Sequence, residues 1–208
     1  MALRLVLIRH GETDWNRERR YQGHRDTPLS ENGRAQAEAA GRSLAGERLA
    51  AVWSSPLRRA RETAAAIAAP QGLPVRVEEA FGEMHFGEWE GLTVDEVSTR
   101  FPELHRAWLD TPHLVALPGA ETLEEVRSRA LKGLESLRGA HDGGTVCLVS
   151  HGVTSRILIL EALGLGLERV WSLQVSYTGI SELEFRDDWA VVHRMNTLLH
   201  LDQLPAPR

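Results

Sequence analysis

The sequence predicts an α/β protein, a three-layer α/β/α sandwich with a mostly parallel central sheet. Short apolar runs alternate with longer amphipathic ones along most of the chain, the pattern of strands joined by crossover helices. Two of these runs, Leu3 to Ile8 and Thr145 to Val149, are apolar at nearly every position, as strands covered on both faces are. The chain has 208 residues, 42% of them hydrophobic, which suffices for a single domain over 1–208 with its own core.

Each element carries its own signal. Leu3 to Ile8 opens the sheet. Ser30 to Leu44 reads as an Ala-rich helix and Ala51 to Trp53 as a short strand. Pro56 to Ala69 is predicted helical, with Ser55 as N-cap and Pro56 at the first helical position, where a missing N–H costs nothing. Val75 to Val77 is another short strand. Thr122 to Arg138 is the clearest helix: Leu123, Val126, Ala130, Leu131, Leu134 and Leu137 are read on one face, and Thr122 and Glu125 have capping-box spacing. Thr145 to Val149 leads into a helix through Leu163. Ile180 to Phe185 and Trp189 to Arg194 close the chain as a hairpin turning at Asp187-Asp188. Residues 81–120 are the least regular stretch. They are expected to form an excursion over the active site, with Trp89, Phe101 and Trp108 available as an apolar pocket wall.

Composition narrows the function. The net charge of −5 and pI near 6.0 give no global attraction to nucleic acid or anionic membrane, so any anion site must be local. The basic residues are nearly all Arg, with Lys132 the sole Lys, and a guanidinium suits bidentate phosphate binding. Cys147, the single cysteine, lies in an apolar run and reads as an inert core residue. No apolar run is long enough to span a bilayer, so a cytoplasmic protein without membrane partners is expected. A homodimer is left open.

One local echo points to a site. Leu5-Val-Leu-Ile-Arg9-His10-Gly11-Glu12-Thr13 parallels Val146-Cys-Leu-Val-Ser150-His151-Gly152-Val153-Thr154. Each is an apolar strand running into His-Gly and then a helix. Ligands of open α/β sheets bind beyond the carboxyl ends of strands, so two such ends can face one cavity.

Phosphoryl transfer is a chemistry these residues suit. It needs an in-line nucleophile, positive charge around the nonbridging oxygens and an acid for the leaving oxygen. A neutral imidazole is a competent nucleophile near pH 7. Arg9 precedes His10, and Gly11 lets the chain turn so that both can reach one anion. Arg58, Arg59 and Arg61 crowd the start of a helix, where cations oppose the dipole and a bound anion would reverse the penalty; one of the three is expected to meet that anion.

The Leu7-Ile8-Arg9-His10-Gly11-Glu12-Thr13 segment resembles the Arg-His-Gly signature of the histidine phosphatase superfamily, also called phosphoglycerate mutase-like. Further blocks are similar in the same order: Asn16, Arg20-Tyr21-Gln22-Gly23, Ser54-Ser55-Pro56-Leu57-Arg58-Arg59-Ala60-Arg61-Glu62-Thr63, Glu83-Met84-His85-Phe86-Gly87-Glu88-Trp89 and Ser150-His151-Gly152. The middle region looks most like the broad-specificity bacterial phosphatases of that family. The resemblance implies a phosphomonoesterase that needs no metal and no cofactor and acts on a small phosphate ester. It implies His10 as the nucleophile, a phosphate pocket of Arg9, Arg59 and His151, and Glu83 as general acid and then base. It also implies Asn16, Gln22 and the Gly152 amide as further binding groups. His24, His85 and Arg58 receive no firm role. Three alternatives remain: a mutase of the same superfamily, a metal-dependent hydrolase, for which no ligand motif is present, and a non-catalytic phospho-ligand-binding protein.

Overall fold

The computed structural model describes residues 2–141, 143–202 and 204; Met1 and residues 205–208, the ends of the expected 1–208 unit, lie outside the described residues. Six strands form one sheet in the order β3-β2-β4-β1-β5-β6. They are β1 (Leu3–Arg9), β2 (Ala51–Ser54), β3 (Val75–Val77), β4 (Thr145–Ser150), β5 (Ile180–Phe185) and β6 (Ala190–Thr197). The first four are mutually parallel, and the β5–β6 hairpin joins β1 antiparallel. Strand alternation divides β1 between two cores. Leu3, Leu5 and Leu7 face α6 (Leu123–Ala140) and α7 (Gly152–Leu163), while Val6 and Ile8 face α2 (Glu31–Leu44) and α3 (Arg58–Ala68). Helices on both faces of a mostly parallel sheet make the three layers expected from the sequence. Among the described residues, no helix is long and apolar enough to cross a membrane.

Local chemistry explains most element boundaries. Thr122 caps α6 as expected: its hydroxyl accepts the Glu125 N–H at 3.2 Å, and the Glu125 carboxylate accepts the Thr122 N–H at 2.7 Å. The start of α3 differs from expectation. The helix begins at Arg58 after Leu57, without a side-chain cap, and Pro56 precedes it. Ser55 lies three residues before the first helical residue, and its hydroxyl accepts the Leu57 N–H at 3.2 Å and bonds His151.

The 81–120 stretch is also more regular than its composition suggests. It contains α4 (Val94–Arg100), opened by a Thr93–Glu96 capping box, and α5 (Pro102–Asp110), with Pro102 in its first turn. Its large aromatics do not form a pocket wall. Trp89 and Trp108 are 0% and 2% exposed and pack edge-on in the core. Indoles bury too much apolar area to be left lining a polar cleft. Of the aromatics in this stretch only Phe86 borders the cleft described below.

Two glycines let the loop after β1 lie against α2. A Cβ on Gly33 would fall 1.9 Å from the Glu12 carbonyl oxygen, and one on Gly11 would fall 2.5 Å from that of Gly33. Only backbone without side chains fits at this crossing, which anchors the loop that carries His10.

Candidate active site

Three adjacent parallel strands end together and deliver three side chains. In register, Arg9 of β1 pairs with Ser150 of β4, and Val149 of β4 pairs with Ser54 of β2. The next residues along are therefore His10 beside His151, and Ser55 beside Ser150, one residue short of His151. The backbone confirms the alignment: the His10 N–H donates to the Ser150 carbonyl at 2.9 Å, and the Ser55 N–H to the Val149 carbonyl at 3.0 Å. The His10 and His151 rings lie 5.1 Å apart between centroids.

Hydrogen bonds fix the proton on each ring. The Nδ1 of His10 lies 2.7 Å from the Gly11 carbonyl oxygen, which can only accept, so Nδ1 carries the proton and Nε2 keeps its lone pair. For His151 the pattern is reversed. Ser55 Oγ already accepts the Leu57 N–H, so a satisfied buried hydroxyl donates to His151 Nε2, 2.6 Å away, and His151 Nδ1 holds the proton. Burial, then the Arg59 charge, hold both histidines well below the usual imidazole range; Arg9 acts in the same direction on each. Both rings are thus neutral at pH 7.

A cleft of about 160 Å³ opens over these strand ends, lined by Arg9, His10, Asn16, Gln22, Arg59 and Glu83 among others. Of the three arginines at the start of α3, only Arg59 turns inward: it is 1% exposed, whereas Arg58 pairs with Glu62 at 2.6 Å on the surface and Arg61 is exposed. Arg59 is held by neutral groups, donating to the carbonyls of Arg25 and Gly23 at 2.8 Å each. Burial brings it down to about 10. Arg9 donates to the Val175 carbonyl at 2.7 Å and stacks on Tyr177 with its Cζ 4.2 Å from the ring centre. Neither has a carboxylate within ion-pair distance among the described residues. The Nε atoms of Arg9 and Arg59 and Nδ1 of His151 are also buried without hydrogen-bond partners.

Glu83 lines the same cleft and is 8% exposed. Its Oε1 accepts the backbone N–H groups of Met84 at 3.0 Å and of Val153, near the start of α7, at 3.2 Å. The chain around it is pinned. Arg129 donates to the Glu83 carbonyl at 2.9 Å and pairs with Glu121 at 2.7 Å, and His24 donates to the same carbonyl at 2.8 Å. His24 and His85 meet edge to face behind this turn and do not border the cleft.

Asn16 and Gln22 reach the cleft with defined orientations. The Asn16 Oδ1 accepts the Thr13 N–H at 3.0 Å, and the Gln22 Oε1 accepts the hydroxyls of Thr13 and Thr27, so each side-chain NH₂ remains for the cleft. Gly152 borders the cleft at the N-terminus of α7. His151, although beside His10, is fully buried and does not reach the cleft surface. Sequence reasoning missed Arg156, Arg20 and Phe86, which also border the cleft, and the contact of Ser55 with His151. The period of α7 offered one clue, because Arg156 stands one turn after Gly152, on the same side of the helix.

Comparison with known proteins agrees with this geometry. A family model described as histidine phosphatase superfamily (branch 1) matches residues 5–198. Phosphoserine phosphatase 1 of Hydrogenobacter thermophilus is 36% identical over 201 residues, covering 97% of this chain and 95% of that one. The solved structure of Bacillus stearothermophilus YhfR superposes with a TM-score of 0.92 at 35% identity, covering 96% of this chain and all of that one. A mycobacterial glucosyl-3-phosphoglycerate phosphatase, solved in complex with VO3, superposes with a TM-score of 0.87 at 31% identity, over 94% of this chain and 99% of that one. The chain belongs to the histidine phosphatase superfamily.

Proposed function

We propose that this protein is a metal-independent phosphomonoesterase that hydrolyses a small phosphate ester in the cytoplasm through a phosphohistidine on His10. One observation carries the reading: an unprotonated Nε2 on a neutral, buried His10 shares a cleft with Arg9 and Arg59, two guanidiniums without carboxylate partners among the described residues. Two such charges match a phosphate dianion. The relatives named as phosphatases support the same reaction class.

The steps follow from the residues. Nε2 of His10 attacks phosphorus as the ester P–O bond breaks. Arg9 and Arg59 take up the charge on the nonbridging oxygens, with the free amides of Asn16 and Gln22 and the Gly152 N–H as further donors, while His151 lies beside His10, behind the cleft surface. Glu83 gives its proton to the departing alkoxide. It then takes a proton from the water that attacks phosphohistidine, the P–N bond breaks, and phosphate leaves.

Rapid quench with labelled p-nitrophenyl phosphate tests this. Label should appear on His10, labile to acid and stable to base, and His10→Ala should lose turnover almost completely. Full activity in His10→Ala overturns the proposal. With 3-phosphoglycerate and a bisphosphoglycerate primer, release of inorganic phosphate supports hydrolysis, and isomerisation without release supports a mutase.

A further inference from the structure

A third arginine in the cleft has no work in the scheme above. Arg156, on α7, is held by two neutral carbonyls, donating from Nε to Leu173 at 3.0 Å and from Nη1 to Gly152 at 3.0 Å. Its guanidinium lies over Trp171, 5.3 Å from the ring centre. Other half-buried arginines here are neutralised: Arg129 by Glu121 at 2.7 Å and Arg127 by Glu161 at 3.1 Å. Arg156 has no carboxylate within ion-pair distance among the described residues. Burial, with Arg9 adding to it, brings it down to about 10. A half-buried cation that makes no ion pair stands to gain from an arriving anion.

Its position says which anion. The point where a Cβ on Gly152 would sit is 3.3 Å from Arg156 Nη1, 3.5 Å from Glu83 Oε2 and 3.7 Å from Arg9 Cζ. Arg156 therefore stands beside the proposed acid, on the side where the alcohol leaves. The charges also leave it over. Arg9 and Arg59 match the phosphate dianion, and Glu83, whose charge acts on Arg156, makes no ion pair with it. Arg20, the remaining cation of the cleft, already pairs with Glu18 at 2.5 Å.

We propose that Arg156 binds a carboxylate on the leaving alcohol, so that the preferred substrates are phosphomonoesters of small hydroxy acids. A carboxylate is the compact anion that suits a cleft of about 160 Å³. It would accept from Nη2, for which no acceptor is found among the described residues. This rests on the phosphatase reading of the same cleft and goes beyond it by naming the substrate class and a specificity residue.

Two substrate pairs test it, each differing by a carboxylate: 3-phosphoglycerate against glycerol 3-phosphate, and phosphoserine against phosphoethanolamine. The wild-type protein should favour the carboxylate member at least tenfold in kcat/KM in one pair or both. Arg156→Gln should lower that ratio at least tenfold, chiefly through KM, and Arg156→Lys should restore part of it. A wild-type ratio near one in both pairs overturns the inference without needing any variant to fold. So does an unchanged ratio in Arg156→Gln, whatever happens to the absolute rates, because a purely structural role would slow both members alike. Should p-nitrophenyl phosphate and all four esters resist hydrolysis, the phosphatase reading itself falls; turnover of p-nitrophenyl phosphate with no carboxylate preference removes only the role of Arg156.

Discussion

The hydroxyl of Ser55 lies 2.6 Å from Nε2 of His151, and that contact decides which nitrogen of the histidine carries the proton. With Nε2 occupied as an acceptor, Nδ1–H becomes a fixed donor beside His10. Ser55→Ala should free the ring to move its proton to Nε2 and remove that donor. Misplaced tautomers and lost orienting groups cost from about tenfold to about 10⁴-fold in other enzymes, so kcat/KM should fall within that span. Nitrogen-15 shifts of the His151 ring should report Nδ1–H in the wild type and a mixture in the variant. An unaltered tautomer in Ser55→Ala would sink this account.

Glu83→Gln removes a proton donor with little change of shape. An alkoxide leaving group needs that proton far more than a nitrophenolate does. Alkyl phosphate hydrolysis should therefore slow by about 10²–10⁴-fold, and aryl phosphate hydrolysis should slow less in the phosphorylation step. Trapped phosphohistidine should also persist longer, since water loses its base. Equal rates for wild type and variant on both substrate types would remove the acid role from Glu83.

Gly33→Ala should disturb the site from a distance. Its Cβ would meet the Glu12 carbonyl oxygen at 1.9 Å, and backbone cannot yield there without moving the loop that follows His10. A loss of about 1–3 kcal/mol in urea denaturation, typical of overpacking, should accompany reduced p-nitrophenyl phosphate turnover. Wild-type stability in this variant would show that the loop has slack which the close approach hides.

Acid should weaken the fold through His10 and His151. Both are held well below the ordinary value of about 6.5, so as pH falls through that value the unfolded chain binds protons that the fold refuses. Stability should be level above about pH 6.5. Below it, stability should fall by about 1.4 kcal/mol per pH unit for each histidine until the folded state also takes the proton. Urea midpoints at pH 5 to 8 for the wild type and for His10→Ala measure this, and the variant should show the shallower slope. Equal slopes would mean that other groups dominate acid unfolding.

Chelator treatment should leave turnover intact, because Arg9 and Arg59 are placed to meet the phosphate charge. Vanadate, which adopts the trigonal-bipyramidal shape of phosphoryl transfer, should inhibit. Activity that disappears with chelator and returns with a divalent ion would require a different mechanism.

Periodicity and short-range chemistry were enough to read the strands Leu3–Arg9 and Thr145–Ser150, the β5–β6 hairpin, and the capped helix Leu123–Ala140. These are local properties: a buried strand is apolar whatever its neighbour, and a capping box closes within four residues. The two His-Gly pairs belong with them, because each ends its own strand. Pairing in register was a tertiary event, and it set Ser150 beside Arg9 and so His151 beside His10. The same folding brought Ser55 to a ring 96 residues away, which no helix-cap rule foresees. It also turned Arg59 inward and left Arg58 on Glu62, although both sit in one helical turn. Trp89 and Trp108 went into the core because an indole gains more from burial than from a polar cleft. Which face of an element meets the site depends on what packs against the others, and that is a sum over the whole chain rather than a property of any segment.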